Sequence, residues 1–141
     1  MLIRNEAING IYEIMASAKE RAICFVDTER VLMYWNIGRI IAEEEQNCNE
    51  RADYGTFLIK SLAENLKPKF GSGFSYRQFY LFRQFYNIFP NVNALSSQFT
   101  GAHFRIFMRI ENQDKRHFFL VEAKKNNWVV RQLERQVNRT I

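Results

Sequence analysis

From Asn5 to Gln46 the sequence runs without a proline, and its only glycines there are Gly10 and Gly38. A backbone with so few breakers takes up helix wherever one side of it can be buried. Ile11, Ile14, Met15, Ala18, Ala22, Phe25 and Val26 recur at helical spacing. Leu32, Trp35, Ile37, Ile40 and Ile41 continue the series. The pattern predicts one very long helix, or two with a break near Asp27-Thr28, packed with its neighbours as an antiparallel bundle. Gly38, four residues before Ala42, suits either a close helix approach or an ordinary surface position. The run Glu43-Glu44-Glu45 reads as a solvated helix end.

The rest of the chain is nearly as free of breakers. Two prolines and six glycines serve 141 residues, and β-branched runs are short. The expected fold is therefore all-α, a single domain over residues 1–141. Within it we expect an acidic long-helix part over 1–50, a helix-turn-helix-like unit over 53–90 and basic C-terminal helices over 93–141. Asp53 is placed to cap a helix from about Tyr54 to Leu66 that buries Phe57, Leu58, Leu62, Ala63 and Leu66. Residues 93–98 suggest a short helix. Thr100 is placed to cap a helix carrying Phe104, Phe107, Met108 and Ile110. Asn112 or Asp114 opens another, with Phe118, Phe119, Val121 and Ala123, which Asn126-Asn127 ends. Trp128 leads into a last helix with Val130, Leu133 and Val137 inward and Arg131, Arg135, Asn138 and Arg139 outward.

Phe70 to Pro90 is the most unusual stretch. Nine of the twenty residues from Phe70 to Phe89 are aromatic. Ser75 stands at an N-cap position after Gly71-Ser72-Gly73, and Pro90 closes the segment. At about 100° per residue, Phe79, Phe82, Phe85, Tyr86 and Phe89 fall on one side. Tyr76, Arg77, Tyr80, Arg83, Gln84 and Asn87 fall on the other, which carries no carboxylate. Arginine forks onto guanine, Asn and Gln pair with adenine, and tyrosine reaches phosphate oxygens. This side reads as a recognition surface, or as the solvated back of a core helix.

Charge is divided along the chain. Residues 1–64 hold seven Lys/Arg and eleven Asp/Glu, whereas 65–141 hold thirteen and four. No acidic residue lies between Glu64 and Glu111, yet Lys67, Lys69, Arg77, Arg83, Arg105 and Arg109 do. A one-signed field draws in polyanions: nucleic acid first, an acidic protein surface second. A membrane surface is not expected, because the apolar residues look committed to a core, and no apolar stretch approaches the ~18 residues needed to span a bilayer. Cys24 and Cys48 are far apart and form no C-x-x-C, so free thiols in a reducing cytoplasm are expected.

Catalytic patterns are sparse. Glu122-Ala123-Lys124 has an E-x-K form with Asp114 upstream. Metal-dependent nuclease chemistry needs carboxylates converging on a divalent cation, and i and i+2 diverge on a helix. His103 and His117 lack companions at zinc-ligand spacing, and His103 suits a backbone or cap contact better. Gly71-Ser72-Gly73 follows no strand and is a connector rather than a phosphate loop. No catalytic group, metal or cofactor is expected.

Four ordered segments resemble one family. They are Y-W-N-I-G-R-I-I-A-E-E-E-Q (Tyr34–Gln46), R-A-D-Y-G (Arg51–Gly55), G-F-S-Y-R-Q-F-Y-L-F-R-Q-F-Y (Gly73–Tyr86) and W-V-V-R-Q-L-E-R-Q-V (Trp128–Val137). They look like the N-terminal helical domain of the YhcG-like proteins, a domain of unknown function that a PD-(D/E)-x-K nuclease domain follows in full-length members. The resemblance covers nearly the whole chain and implies a bacterial DNA-processing or defence setting. One departure is F-T-G-A-H (Phe99–His103), where the family has an L-S-W-S-H-like motif. A weaker similarity, to the DNA-binding region of ParB-like proteins, falls on Thr100–Ile110 and Trp128–Val137.

The sequence thus points to a non-catalytic module that binds or targets DNA, as duplex, with the nuclease half of the family outside this chain. Tyr76, Arg77, Tyr80, Arg83, Gln84 and Asn87 would face the groove. Lys67, Lys69, Arg105 and Arg109 would clamp phosphates, and Arg131 and Arg135 would extend the track. The other reading is a protein-interaction module: a homodimer, or a platform that positions a nuclease domain in cis or in trans.

Overall fold

The computed structural model describes residues 4–47, 54–92 and 95–139. Among them are six α-helices and no strand. They are α1 (Asn5–Asn47), α2 (Tyr54–Phe70), α3 (Tyr76–Ile88), α4 (Gly101–Arg109), α5 (Gln113–Asn126) and α6 (Val130–Arg139). A 3₁₀ turn, Ser72–Phe74, sits between α2 and α3. The all-α expectation holds, and the long breaker-free stretch is one helix of 43 residues without a break at Asp27-Thr28. At 1.5 Å per residue it is about 65 Å long.

Helix ends follow local chemistry. Pro68 lies in the last turn of α2, which stops two residues later. Gly71 then turns at φ 92°, open to glycine and not to other residues, and its N–H donates to the Lys67 carbonyl at 2.8 Å. Ser75 is the N-cap residue of α3 by its extended backbone, although its side chain makes no cap bond. Thr100 caps α4 reciprocally with His103. The His103 Nε2 lies 2.8 Å from the Trp128 carbonyl, which only accepts, so this nitrogen donates. Nδ1 is then free to accept from the Thr100 N–H at 3.1 Å. One histidine thereby ties the start of α4 to the entry of α6. Asn112 caps α5 by accepting from the Lys115 N–H. Asn127 ends that helix in the left-handed region at φ 51°.

α1 and α3 run antiparallel and form the spine. Trp35 donates its indole N–H to the Phe89 carbonyl at 2.7 Å and stacks on Tyr86, and Tyr34 stacks on Phe82. Gly38 makes the approach possible: a Cβ there would stand 2.0 Å from the Phe82 carbonyl oxygen. On one side of the spine Ile41, Ile59, Ala63, Phe79 and Phe82 form a core with α2. On the other, Val31, Phe85, Phe89 and Val92 join Phe99, Phe104, Phe107, Phe119, Leu133 and Val137 from the chain beyond α3. The Arg116 guanidinium donates to the Phe107 and Ile110 carbonyls, closing the end of α4.

Several expectations differ from what is found. Residues 5–26 bury no side chain: Ile11, Ile14, Met15, Phe25 and Val26 are exposed, with only Ser97 standing beside the helix near Arg21, Cys24 and Phe25, so the first half of α1 is an arm and not a bundle helix. Ile40 and Phe57 are also exposed; their azimuths point away from α3, and Ile59 takes the buried place in α2 instead. Phe118 and Val121 are exposed on α5, where only Phe119 and Ala123 are buried. The described part of 93–98, residues 95–98, is a series of turns. Residues 93–94, the Asp53 cap and the Cys48 thiol lie outside the described residues; Cys24 is a free, exposed thiol.

Gly38→Ala is expected to destabilise the fold by at least about 2 kcal/mol, because backbone cannot yield to the added methyl. Gly10→Ala, with nothing within 4 Å, should stabilise it by about 0.5–1 kcal/mol. Urea unfolding followed by circular dichroism measures both.

Candidate nucleic-acid interface

The outer side of α3 is shared between two neighbours. The edge carrying Tyr76, Tyr80 and Arg83 turns toward the end of α1 and the start of α2. There the Arg83 Nη1 donates to both carboxylate oxygens of Glu45, at 2.9 and 3.0 Å. Both side chains are 27% exposed. The guanidinium also lies 4.7 Å above the Tyr80 ring. Tyr76 donates to the Tyr80 hydroxyl at 3.2 Å, and Tyr80 makes a long contact of 3.5 Å with Thr56. Hydrogen bonding to Thr56 and then to Tyr76 holds the Tyr80 phenol below its ordinary pKa. The Tyr76 phenol is pushed above its own, chiefly by the bond it shares with Tyr80. Gly55 lies flat on the Glu45 carboxylate, and Tyr54 donates to Glu44 at 2.9 Å. Arg83 is therefore a cation already neutralised within the fold.

The other edge of α3 opens onto a groove. Gln78, Leu81 and Gln84 face Arg105 and Arg109 of α4 across a space of about 890 Å³, with Arg30 of α1 at its rim. Arg77 is exposed one residue before this groove. Neither Arg77 nor Arg105 has an ion-pair partner among the described residues. Arg109 stands 3.8 Å from Glu134, with the two side chains 67% and 50% exposed, a contact worth little in water. Asp27, Glu111 and Glu134 also line the groove, so its floor is mixed in sign. Asp27 is engaged: its Oδ2 accepts from the Gly101 N–H at 3.3 Å, at the positive end of α4.

The expected residues thus fall into separate sets. Gln84, Arg105 and Arg109 share the groove, and Arg77 flanks it. Asn87 is exposed one turn further along α3. Tyr76, Tyr80 and Arg83 belong to the network around Glu45. Lys67 and Lys69 are exposed in the last turn of α2. Arg131 and Arg135 are exposed on α6, whose Val130 and Glu134 take the groove side. Arg30 and Gln78 were not singled out in the sequence. Arg30 lies in the acidic half, and only the fold brings it beside α4.

Glu122 and Lys124 lie on α5, where the Asn126 side chain donates to Glu122. Asp114 is at the opposite end of that helix. Among the described residues no three of His, Cys, Asp or Glu converge as metal ligands would, and no helix is long and apolar enough to cross a membrane.

An all-α domain with a projecting first helix, knit at the Glu45 end by Tyr34–Gln46, by Tyr54 and Gly55, and by Gly73–Tyr86, is the class these features define. The chain belongs to the family described as the DUF1016 N-terminal domain, whose model matches residues 10–141. It is similar to the Escherichia coli (strain K12) protein named "Putative nuclease YhcG", with 30% identity over 161 aligned positions. That alignment covers 92% of this chain and 43% of the relative, so the chain spans less than half of its length. No solved structure matches.

Arg83→Met is expected to cost about 1–2 kcal/mol, because the part-buried Glu45 carboxylate loses its partner. Arg77→Ala, with nothing to lose in the fold, should stay within about 0.5 kcal/mol of the parent. Thermal unfolding of the two variants side by side separates the structural cation from the free one.

Proposed function

We propose that this domain is the non-catalytic, DNA-binding part of a nuclease-type protein, and that duplex DNA lies along the α3–α4 groove. The observation that carries this reading is that Arg105, which lines the groove with Gln84, and Arg77, exposed two turns before Gln84 on α3, have no ion-pair partner among the described residues. Arg109 and Arg30 add charge along the same rim. Such groups hold phosphates by charge, and Gln84 is of a type that reads adenine edges. Lys67, Lys69, Arg131 and Arg135 are further phosphate contacts on a surface that α3 and α4 do not themselves complete. Arg83 serves by fixing α3 on α1 rather than by touching DNA. The name of the Escherichia coli relative, "Putative nuclease YhcG", supports a setting in which DNA is the natural polyanion. The helix-turn-helix-like pairing of α2 and α3 is part of the same proposal. Their five-residue connection, 71–75, carries α3 across α1.

A labelled duplex titrated at several salt concentrations tests this. Binding should weaken with a log–log slope of about −0.9 per phosphate neutralised. The triple variant Arg77→Ala/Arg105→Ala/Arg109→Ala should bind about tenfold or more weakly, with a slope shallower by 2 to 3 units. Tight binding that ignores both salt and the triple variant would overturn the assignment.

A further inference from the structure

The arm of α1 is an amphipathic surface on which no side chain is buried, although Ser97 flanks it beside Cys24 and Phe25. Residues 5–26 are exposed throughout apart from the half-buried Gly10. Ile8, Ile11, Met15, Ala18, Ala22 and Phe25 follow one another at alternating steps of three and four, the heptad spacing of a coiled-coil seam. Met15 is 67% exposed and Phe25 65%. Glu6, Glu13, Glu20 and Asp27 repeat every seven residues on the opposite side. The seam also avoids the body of the protein. On a helix of 3.6 residues per turn it lies about 160° from the side on which Val31, Gly38 and Ile41 are buried.

We propose that the arm pairs with the same arm of a second copy of this chain, as an antiparallel two-stranded coiled coil. Three features select that occupant. The first is size matching. In the antiparallel register Ile8 meets Phe25, Ile11 meets Ala22 and Met15 meets Ala18, so each alanine receives a large partner. A parallel pair would stack Ala18 on Ala18 and Ala22 on Ala22, leaving two thin layers together. The second is charge. The same register sets Arg4 of each copy against Glu29 of the other, whereas a parallel pair sets like against like at both positions. The third is extent. In this register Arg4 reaches Glu29, so the two arms overlap over the whole exposed stretch 5–26, about 33 Å, on the side away from Ser97 and Gly101. The flanking Tyr12, Ile14 and Val26, each more than half exposed, add apolar surface to the contact. A two-fold axis between Met15 and Ala18 makes the contact self-complementary and closed.

Sedimentation equilibrium of the whole chain tests the pairing. The expected mass is twice 16.8 kDa at tens of micromolar. Met15→Glu, which changes a side chain exposed in the single chain, should raise the dissociation constant about 100-fold or more and leave helix content unchanged. Arg4→Glu and Glu29→Arg should each raise it about five- to tenfold. The double variant Arg4→Glu/Glu29→Arg should return it to the parental value, a rescue that a parallel pair cannot give. A mass of 16.8 kDa at 100 micromolar overturns the pairing, as does a dimer indifferent to Met15→Glu. Single charge variants without effect, or a double variant without rescue, overturn the antiparallel register. Arg77→Ala/Arg105→Ala/Arg109→Ala should leave the mass unchanged, so the pairing stands or falls independently of DNA binding.

Discussion

The approach of α1 to α3 at Gly38 is the contact on which the rest depends. Helices carrying side chains at every contact position stand 8–10 Å apart. Here the missing Cβ lets the Phe82 carbonyl sit where a methyl would be. That closeness brings Tyr34 onto Phe82 and Trp35 onto Tyr86 in stacked pairs, and carries the Trp35 indole to the Phe89 carbonyl. α3 then has an aromatic edge to spare on each side. Phe79 and Phe82 close the core with α2, while Phe85 and Phe89 close the core with α4, α5 and α6. Two half-cores of modest size become one folded unit because the same two helices run through both.

The Glu45–Arg83 pair guards this arrangement from the outside. Both groups are largely shielded, so each would be costly alone, and each satisfies the other with two short contacts. Tyr80 covers the guanidinium, and Gly55 lets the α2 backbone rest against the carboxylate. The residues through which the chain resembles its family, from Glu44 and Glu45 to Tyr54, Gly55, Tyr80 and Arg83, therefore converge at one end of the spine. Each of them has an architectural role there. Groups free to meet a partner lie on the other edge, around Gln84 and Arg105.

Sequence patterns foretold this fold where they depended on local chemistry. Thr100, Asn112, Asn127 and the proline after Phe89 stop and start helices by hydrogen bonds and backbone geometry that neighbours in sequence determine. The continuous α1 was legible for the same reason. The polar side of α3 was only half legible. A helical wheel sorts Arg77 and Arg83 onto one polar side, but they stand 120° apart on it at about 100° per residue. Nothing in the sequence says that Glu45, 38 residues away, will claim one of them. Arg30 was missed for the converse reason: charge counted along the chain assigns it to the acidic half, and charge in space gives it to the groove. The apolar residues of the first half of α1 were read as core because periodicity reports a face that wants covering, without reporting who covers it.

That last distinction links the two ends of α1. The second half spends its apolar side within the chain, on the azimuth of Val31, Gly38 and Ile41. The first half carries its apolar side on nearly the opposite azimuth, where Met33 and Ile40 continue it past the arm as further exposed groups. A helix that changed faces by accident would lose burial on both. Here the change leaves the body side of the helix and its far side separately available. A second chain lying on the far side does not approach the α3–α4 groove, whose α1 contributions, Asp27, Arg30, Val31 and Tyr34, come from the body side or its flank. The proposed pairing through the arms and the proposed binding through the groove therefore make no competing claim on any side chain.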